Sequence, residues 1–77
     1  MHKHMPTLDL HNLYHHEVEK YVTEFINFLD PPFKIITGKS EKVRSIVIEI
    51  IKRYDWTHHD EYYQNYGCLI IMERNSQ

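Results

Sequence analysis

Two short stretches of the sequence combine side chains that could handle a phosphodiester. In Asp9-Leu10-His11-Asn12, an imidazole that could shuttle a proton stands two residues from a carboxylate. In Thr37-Gly38-Lys39-Ser40, a glycine that permits a tight turn stands beside a cation, just before a predicted helix whose first N–H groups favour anions. An acid–base group, a carboxylate and a phosphate cradle together predict binding or cleavage of phosphodiesters.

The first stretch carries the candidate catalytic residues. His11 is the predicted acid/base or phosphate ligand, and Asp9 orients it or holds a cation. Asp9 fits equally well as an acceptor of N–H bonds from the loop that follows. A two-metal hydrolytic site needs several clustered carboxylates, so no dedicated metal site is predicted, and Mg²⁺ is kept only as a candidate cofactor. Cleavage that uses the ribose 2′-hydroxyl as nucleophile needs less of the protein and favours RNA over DNA.

The phosphate-binding candidates belong to a basic segment. Between Lys34 and Arg53 lie six Lys or Arg and two Glu, hence +4, in a chain whose net charge is −2. A patch of one sign attracts phosphates even on a mildly acidic protein, although a solvated helix face explains the same charges equally well. The predicted phosphate-binding residues are those of the loop and the cations near it: Thr37, Gly38, Lys39, Ser40, Lys34, Lys42 and Arg44.

Two parallel strands are expected to position these stretches. Alternating apolar and polar residues predict a strand over 8–11, with its leucines facing the core and with Asp9 and His11 on the opposite face. An apolar, β-branched run over 33–37 that stops at Gly38 predicts the second strand. Parallel strands joined by a helix place their carboxyl ends at one edge, where ligands usually bind. The two loops should therefore converge.

Two amphipathic helices complete the crossovers. Apolar residues spaced three or four apart, from Val18 to Leu29, predict the first helix, with Pro31-Pro32 ending it. Apolar residues with the same spacing, from Val43 to Tyr54, predict a second helix that begins after its cap Ser40. Both helices should then cover one face of the sheet.

The last third of the chain should add two strands. We predict a polar and aromatic strand over 55–63, a turn over 64–67 and an apolar strand over 68–72. The order βαβαββ predicts an α/β two-layer sandwich: a mixed four-stranded sheet with two helices on one face. The expected organisation is a disordered lead-in over 1–6, a single domain over 7–73 and a polar tail over 74–77.

This order and the two loops resemble the small MutS-related (Smr) domain family. Leu8-Asp9-Leu10-His11 matches the LDLH signature that opens Smr domains, Thr37-Gly38-Lys39 is similar to their second-strand motif, and Gly67 before the last strand also fits. The resemblance spans about residues 7–73. It implies a fold like the C-terminal domain of translation initiation factor three. It also implies nucleic-acid binding and, in several members, endonuclease activity on DNA or RNA.

Three residues depart from the family pattern. Asn12 replaces the glycine after LDLH, Ser40 the second glycine of TGxG, and Tyr14 the threonine that caps the first helix. Asparagine tolerates left-handed turns better than most residues, but the lost glycines weaken the case for catalysis more than the case for the fold. The alternative is therefore a non-catalytic adaptor that binds a protein, which the net negative charge also favours.

The remaining aromatic, histidine and cysteine residues bear on whether the protein binds unpaired bases, holds zinc or forms a disulfide. Five rings could stack on unpaired bases or pack in the core: Tyr54, Trp56, Tyr62, Tyr63 and Tyr66. The adjacent histidine pairs lack the spacing of a zinc site. Cys68 is the only cysteine, so an intramolecular disulfide is excluded and a cytoplasmic location is expected. No apolar run approaches the length of a membrane span, and no signal peptide is recognisable.

Overall fold

The computed structural model describes residues 5–62 and 65–74. Along the chain, strands and helices follow the predicted order βαβαββ. The expected lead-in falls largely outside the described residues, as does most of the expected tail. The elements are β1 (Thr7–Asp9), α1 (His15–Ile26), β2 (Phe33–Ile36), α2 (Glu41–Arg53), β3 (Trp56–Tyr62) and β4 (Asn65–Glu73).

The four strands form one mixed sheet in the order β1-β2-β4-β3. β1 runs parallel to β2, with Leu8 opposite Ile35. β4 runs antiparallel to both of its neighbours, so that Leu69 lies opposite Ile35 on one side and Asp60 on the other. The last strand of the chain is therefore an interior strand of the sheet, and the predicted α/β class is confirmed.

Both helices pack on the same face of the sheet. Alternate residues of the two interior strands are fully buried there, among them Phe33, Ile35, Leu69 and Ile71. Residues between them, such as Lys34, point to the opposite face. The core joins these strand residues to the buried stripes of the helices: Val18, Val22 and Ile26 from α1, and Val43, Val47, Ile50 and Ile51 from α2.

α1 ends earlier than the sequence pattern predicts. Its last residue is Ile26, and the N–H of Asn27 closes the final turn on the carbonyl of Thr23 at 3.0 Å. The prediction reached Leu29 because this leucine continues the apolar spacing. Leu29 instead packs against the core from a turn, with its N–H bonded to the carbonyl of Ile26 at 3.2 Å. Pro31-Pro32 thus follows the helix end without forming it.

α2 begins where the sequence predicts. The hydroxyl of Ser40 accepts the N–H of Val43 at 3.1 Å, which confirms the predicted cap. The helix ends at Arg53, and Tyr54, the last residue of the apolar spacing, is its C-cap; Lys52 and Arg53 lie near the partial negative charge of the last turn. Asp55 then takes a left-handed conformation (φ 62°) and turns the chain into β3.

The prediction of a turn over 64–67 is wrong for its last three residues. β4 already includes Asn65 and Gly67, and Tyr62 pairs with Asn65 across the hairpin. Turn-forming residue types are overridden here by pairing with the neighbouring strand. No helix within the described residues is long and apolar enough to cross a membrane.

Candidate active site

A groove of about 530 Å³ opens at the carboxyl ends of β1 and β2, on the sheet face away from the helices. The structure thus brings the Asp9 and Gly38 loops together, as the parallel strands require. The groove is lined by residues from all four strands and from the two loops: Asp9, His11, Lys34, Ile36, Gly38, Lys39, Glu61, Gly67 and Cys68.

The end of β1 fixes the direction of the first loop. Leu10 is fully buried, and its N–H donates to the carbonyl of Ile36 at 2.8 Å. β1 ends at Asp9, two residues before the end of the predicted strand, and His11 stands in the turn that follows, where the chain folds back so that the N–H of Leu13 bonds to the carbonyl of Leu10 at 3.0 Å. Asp9 and His11 nevertheless both line the groove. The alternation in the sequence therefore predicts the placement of both candidates correctly.

Asp9 holds His11 through two hydrogen bonds. Its Oδ1 accepts the backbone N–H of His11 at 3.1 Å and lies 2.5 Å from the imidazole Nδ1. A carboxylate only accepts, so the proton of the neutral ring sits on Nδ1. These bonds, the one to the imidazole first, lower the pKa of Asp9 below its ordinary value. The two roles considered for Asp9, acceptor of loop N–H groups and orienter of the imidazole, are thus compatible.

Asn12 contacts the other nitrogen of the ring. Its side-chain Nδ2 lies 3.0 Å from Nε2 of His11. An amide nitrogen donates, so Nε2 is the acceptor, in agreement with a proton on Nδ1. Sequence reasoning missed this contact and considered Asn12 only for its tolerance of left-handed turns. That tolerance is not used, because Gly38 and Asp55 alone have a positive φ among the described residues.

The second loop is shaped by Gly38. This glycine has φ 69°, and a Cβ built on it would lie 3.2 Å from the Cβ of His11. Its N–H and that of Thr37 both donate to the carbonyl of Gly67, at 3.1 and 2.9 Å. Thr37 is 1% exposed, and its hydroxyl donates to the carbonyl of Gly38 at 3.2 Å. These groups hold the loop in shape, while the exposed Lys39 lines the groove.

The floor of the groove holds a carboxylate that sequence reasoning missed. Glu61 accepts a hydrogen bond from Lys34 at 2.7 Å, and this bond lowers the pKa of its carboxyl. Burial, together with a hydrogen bond to Glu61, raises the pKa of the Cys68 thiol to about 11. No motif in the sequence marks Glu61, because it reaches the groove only through the order of the strands.

The other cations of the basic segment lie elsewhere. Arg44 projects from α2 on the helix side of the sheet and forms a two-pronged ion pair with Asp60, at 2.6 and 3.4 Å. Lys42 is exposed on α2, and Arg53 pairs with Glu19 at 3.0 Å. Of the predicted phosphate-binding cations, Lys34 and Lys39 line the groove. The basic segment is therefore dispersed over the molecule.

The described rings among the candidates for base stacking lie away from the groove. Trp56 packs edge-on against Phe33 of the core and is stacked by Tyr54 at 4.8 Å between centroids, at the end of β3 away from the groove. Tyr63 and the side chains of Tyr62 and Tyr66, also predicted to stack on bases or pack in the core, are not among the described parts of the chain.

Within residues 5–62 and 65–74, no group of three or more His, Cys, Asp or Glu side chains is arranged to hold a metal ion.

Comparison of this chain with known protein families, with curated proteins and with solved structures gives no match.

Proposed function

We propose that this chain is an Smr-like domain that binds RNA in the groove and cleaves it weakly by acid–base catalysis at His11. The observation that carries the proposal is the Asp9–His11 pair at 2.5 Å beside Lys39 in one groove. The imidazole is oriented by a carboxylate while 53% of the His11 side chain is exposed. A group that is both oriented and accessible can reach the proton of a bound hydroxyl, which is the geometric requirement of a general base.

The proposed reaction uses the ribose 2′-hydroxyl as nucleophile. Nε2 of His11 takes the 2′-hydroxyl proton as the 2′ oxygen bonds to phosphorus, and the bond to the 5′ oxygen breaks. The leaving 5′ oxygen takes a proton from water, so the products are a 2′,3′-cyclic phosphate and a 5′-hydroxyl end. Asp9 stabilises the imidazolium that forms and keeps the reacting nitrogen turned toward the groove. Asn12 must release Nε2 before the hydroxyl binds.

Two lysines supply the positive charge for the phosphate. Lys39 stands on the rim of the groove, and Lys34 lies deeper, in contact with Glu61. A phosphate oxygen near Lys34 would replace part of its interaction with Glu61. Since the net charge of the chain is −2, binding should be weak. Because only two lysines would contact phosphates, the affinity should fall moderately as the salt concentration rises. The proposal includes a cytoplasmic location, where the single Cys68 stays reduced.

A cleavage assay tests this function. Purified protein is incubated with end-labelled structured RNA and with supercoiled plasmid, each with and without Mg²⁺. We expect RNA cleavage without Mg²⁺, cyclic phosphate ends, and a loss of about 10²- to 10⁴-fold in His11→Ala. His15→Ala, which removes an exposed histidine of α1, is the matched control and should cleave normally. A strict need for Mg²⁺ or nicking of plasmid would contradict the acid–base mechanism. No salt-sensitive binding to RNA or DNA would contradict the whole proposal.

The dispersal of the basic segment favours a second function, that of a non-catalytic adaptor for a protein. An adaptor needs no continuous basic surface, and four of the six cations between Lys34 and Arg53 lie outside the groove lining. A complex recovered from cells that survives nuclease treatment would support this function. A complex that is lost on such treatment would count against it.

A further inference from the structure

Glu61 lies at the opposite end of the groove from the Asp9–His11 pair. Four groove residues form one row across the sheet, because Asp9 lies opposite Ile36 and Ile36 lies opposite Cys68. Glu61 continues the row on β3, where its carboxylate accepts a hydrogen bond from the Cys68 thiol. Three strand spacings, about 14 Å, separate the two ends of the row. The groove thus has an imidazole and a carboxylate at one end and a second carboxylate at the other.

The part of the groove between these ends is apolar. Ile36 is half-buried and Cys68 is buried, and both line the groove from the interior strands. An apolar surface with a few polar groups around it is typical of small-molecule sites, and 530 Å³ is within the usual range of their volumes. A nucleobase has flat apolar faces, so it can lie on this surface while its ribose and phosphate stay beside His11. Its polar edge then points toward Glu61.

Bound RNA must bring hydrogen-bond donors to Glu61. A carboxylate has about four acceptor positions. Among the described residues, the donors to Glu61 are the Lys34 ammonium, at 2.7 Å, and the Cys68 thiol, and 28% of the Glu61 side chain is exposed. A phosphate held by Lys34, as proposed above, draws the ammonium away from Glu61. A carboxylate that loses a donor beside a phosphate is unfavourable unless new N–H groups reach it.

Guanine is the RNA base whose edge satisfies a carboxylate. Its N1–H and its N2 amino group are neighbouring donors that point in the same direction, so they can bond to both carboxylate oxygens at once. In adenine and cytosine the amino group stands beside a ring nitrogen that accepts, and in uracil the N–H stands between two carbonyls. Each of these three edges would turn a lone pair toward Glu61, which opposes binding.

We propose that Glu61 makes the groove specific for guanosine, so that RNA is cleaved on the 3′ side of G. The base lies over Ile36 and Cys68 and donates its N1–H and one N2 hydrogen to the carboxylate, while Lys34 turns to the phosphate. The ribose of the same nucleotide carries the 2′-hydroxyl that His11 deprotonates. Glu61 determines specificity and takes no part in the proton transfer. This inference rests on the proposed function, because it uses the same groove and nucleophile.

Five DNA oligonucleotides with a single ribonucleotide test the inference, because each holds one 2′-hydroxyl and therefore one cleavable bond. The ribonucleotide is guanosine, adenosine, cytidine, uridine or inosine, and kcat/KM is measured without Mg²⁺. The guanosine substrate should be cleaved at least about tenfold faster than the adenosine, cytidine and uridine substrates. Inosine lacks the N2 amino group but keeps N1–H, so its kcat/KM should fall between them. Equal cleavage of all five would overturn the inference and leave the proposed nuclease standing.

Glu61→Gln should remove the preference for guanosine. The amide keeps one acceptor oxygen but turns N–H donors toward the base, so kcat/KM for guanosine should fall about tenfold or more, while the other bases change by less than about threefold. Glu73→Gln, which alters an exposed glutamate of β4 outside the groove lining, is the matched control and should keep the preference. Circular dichroism checks that both variants are folded. An equal loss for every base in Glu61→Gln would overturn the inference, because Glu61 would then act on structure alone.

Binding of nucleoside 3′-monophosphates separates the inference from the proposed cleavage. Each nucleotide is titrated into the ¹⁵N-labelled full chain while amide shifts are followed by NMR. Guanosine 3′-monophosphate should shift groove residues and bind at least about tenfold more tightly than the uridine compound, and Glu61→Gln should remove the difference. The same result in a chain that cleaves no RNA would support the guanosine site and contradict the proposed catalysis. Equal binding of the two nucleotides, or no groove shifts at about 10 mM, would overturn the inference.

Discussion

Gly38 and His11 are in contact across the end of the sheet. A Cβ at position 38 would come within 3.2 Å of the Cβ of His11, and the φ of Gly38 is 69°. Two separate reasons, a left-handed backbone and a close neighbour, therefore favour glycine at this position. The loop that would carry phosphate and the loop that carries the imidazole cannot be varied independently.

Gly38→Ala should lower the free energy of unfolding by about 1–2 kcal/mol, because alanine is strained at positive φ and its methyl group presses on His11. Urea unfolding followed by circular dichroism measures this change. Gly38→Asn separates the two causes, since asparagine tolerates the left-handed region but keeps the contact. Asparagine should cost less than alanine. Equal losses for the two variants would show that the contact alone decides the effect.

Asp9→Asn should release the tautomer of His11. An amide can donate to Nδ1, so the proton is free to move to Nε2, and cleavage should fall by about 10²-fold. Long-range ¹H–¹⁵N spectra of the imidazole report which nitrogen carries the proton, whether or not the protein cleaves RNA. Asn12→Ala is the comparison. It should keep the proton on Nδ1, because Asp9 still accepts it, and a switch of tautomer in that variant would contradict the assigned hydrogen bonds.

Stability should decrease below pH 6.5 because of His58. The Nδ1 of this ring is buried without a hydrogen-bond partner, and burial, with the charge of Arg44, lowers its pKa in the folded state. As the pH falls, His58 therefore takes up a proton in the unfolded chain before it does so in the folded chain. Its contribution to the free energy of unfolding is fully present above the ordinary pKa of 6.5 and is lost as the pH falls toward the lower pKa of the folded state. His58→Gln should flatten this part of the pH profile of urea unfolding. His59→Gln, on the other sheet face, should leave it unchanged.

Cys68 should react slowly with alkylating reagents at neutral pH. Its thiol pKa is raised from 9.0 to about 11, so the reactive thiolate is about 100-fold scarcer than for an ordinary cysteine. Iodoacetamide labelling followed by mass spectrometry should therefore accelerate up to pH 11. Glu61→Gln should speed the reaction modestly, because burial, the larger cause, remains. Labelling as fast as that of the urea-unfolded chain at pH 7 would contradict the assigned environment.

Local patterns in the sequence predicted the order of the elements and the meeting of the Asp9 and Gly38 loops. Alternation placed Asp9 and His11 on one face, and the helix cap at Ser40 was recognisable because capping depends on neighbours in the chain. Glu61 could not be predicted, because it meets Lys34 only when β4 lies between β2 and β3. Nothing local distinguishes that order from others. The contact of Asn12 with His11 depends on side-chain rotation, which residue spacing does not encode.

The interior position of β4 has a consequence for synthesis on the ribosome. Phe33 pairs with Ile71, a residue that is translated 38 positions later. Until β4 emerges from the exit tunnel, β2 lacks one of its two neighbours and β3 has no strand to join, while both helices can already form. The apolar faces of the helices and of the first strands therefore stay exposed on the nascent chain until β4 is available. The sheet then forms in one late step, after nearly all of the domain has been synthesised.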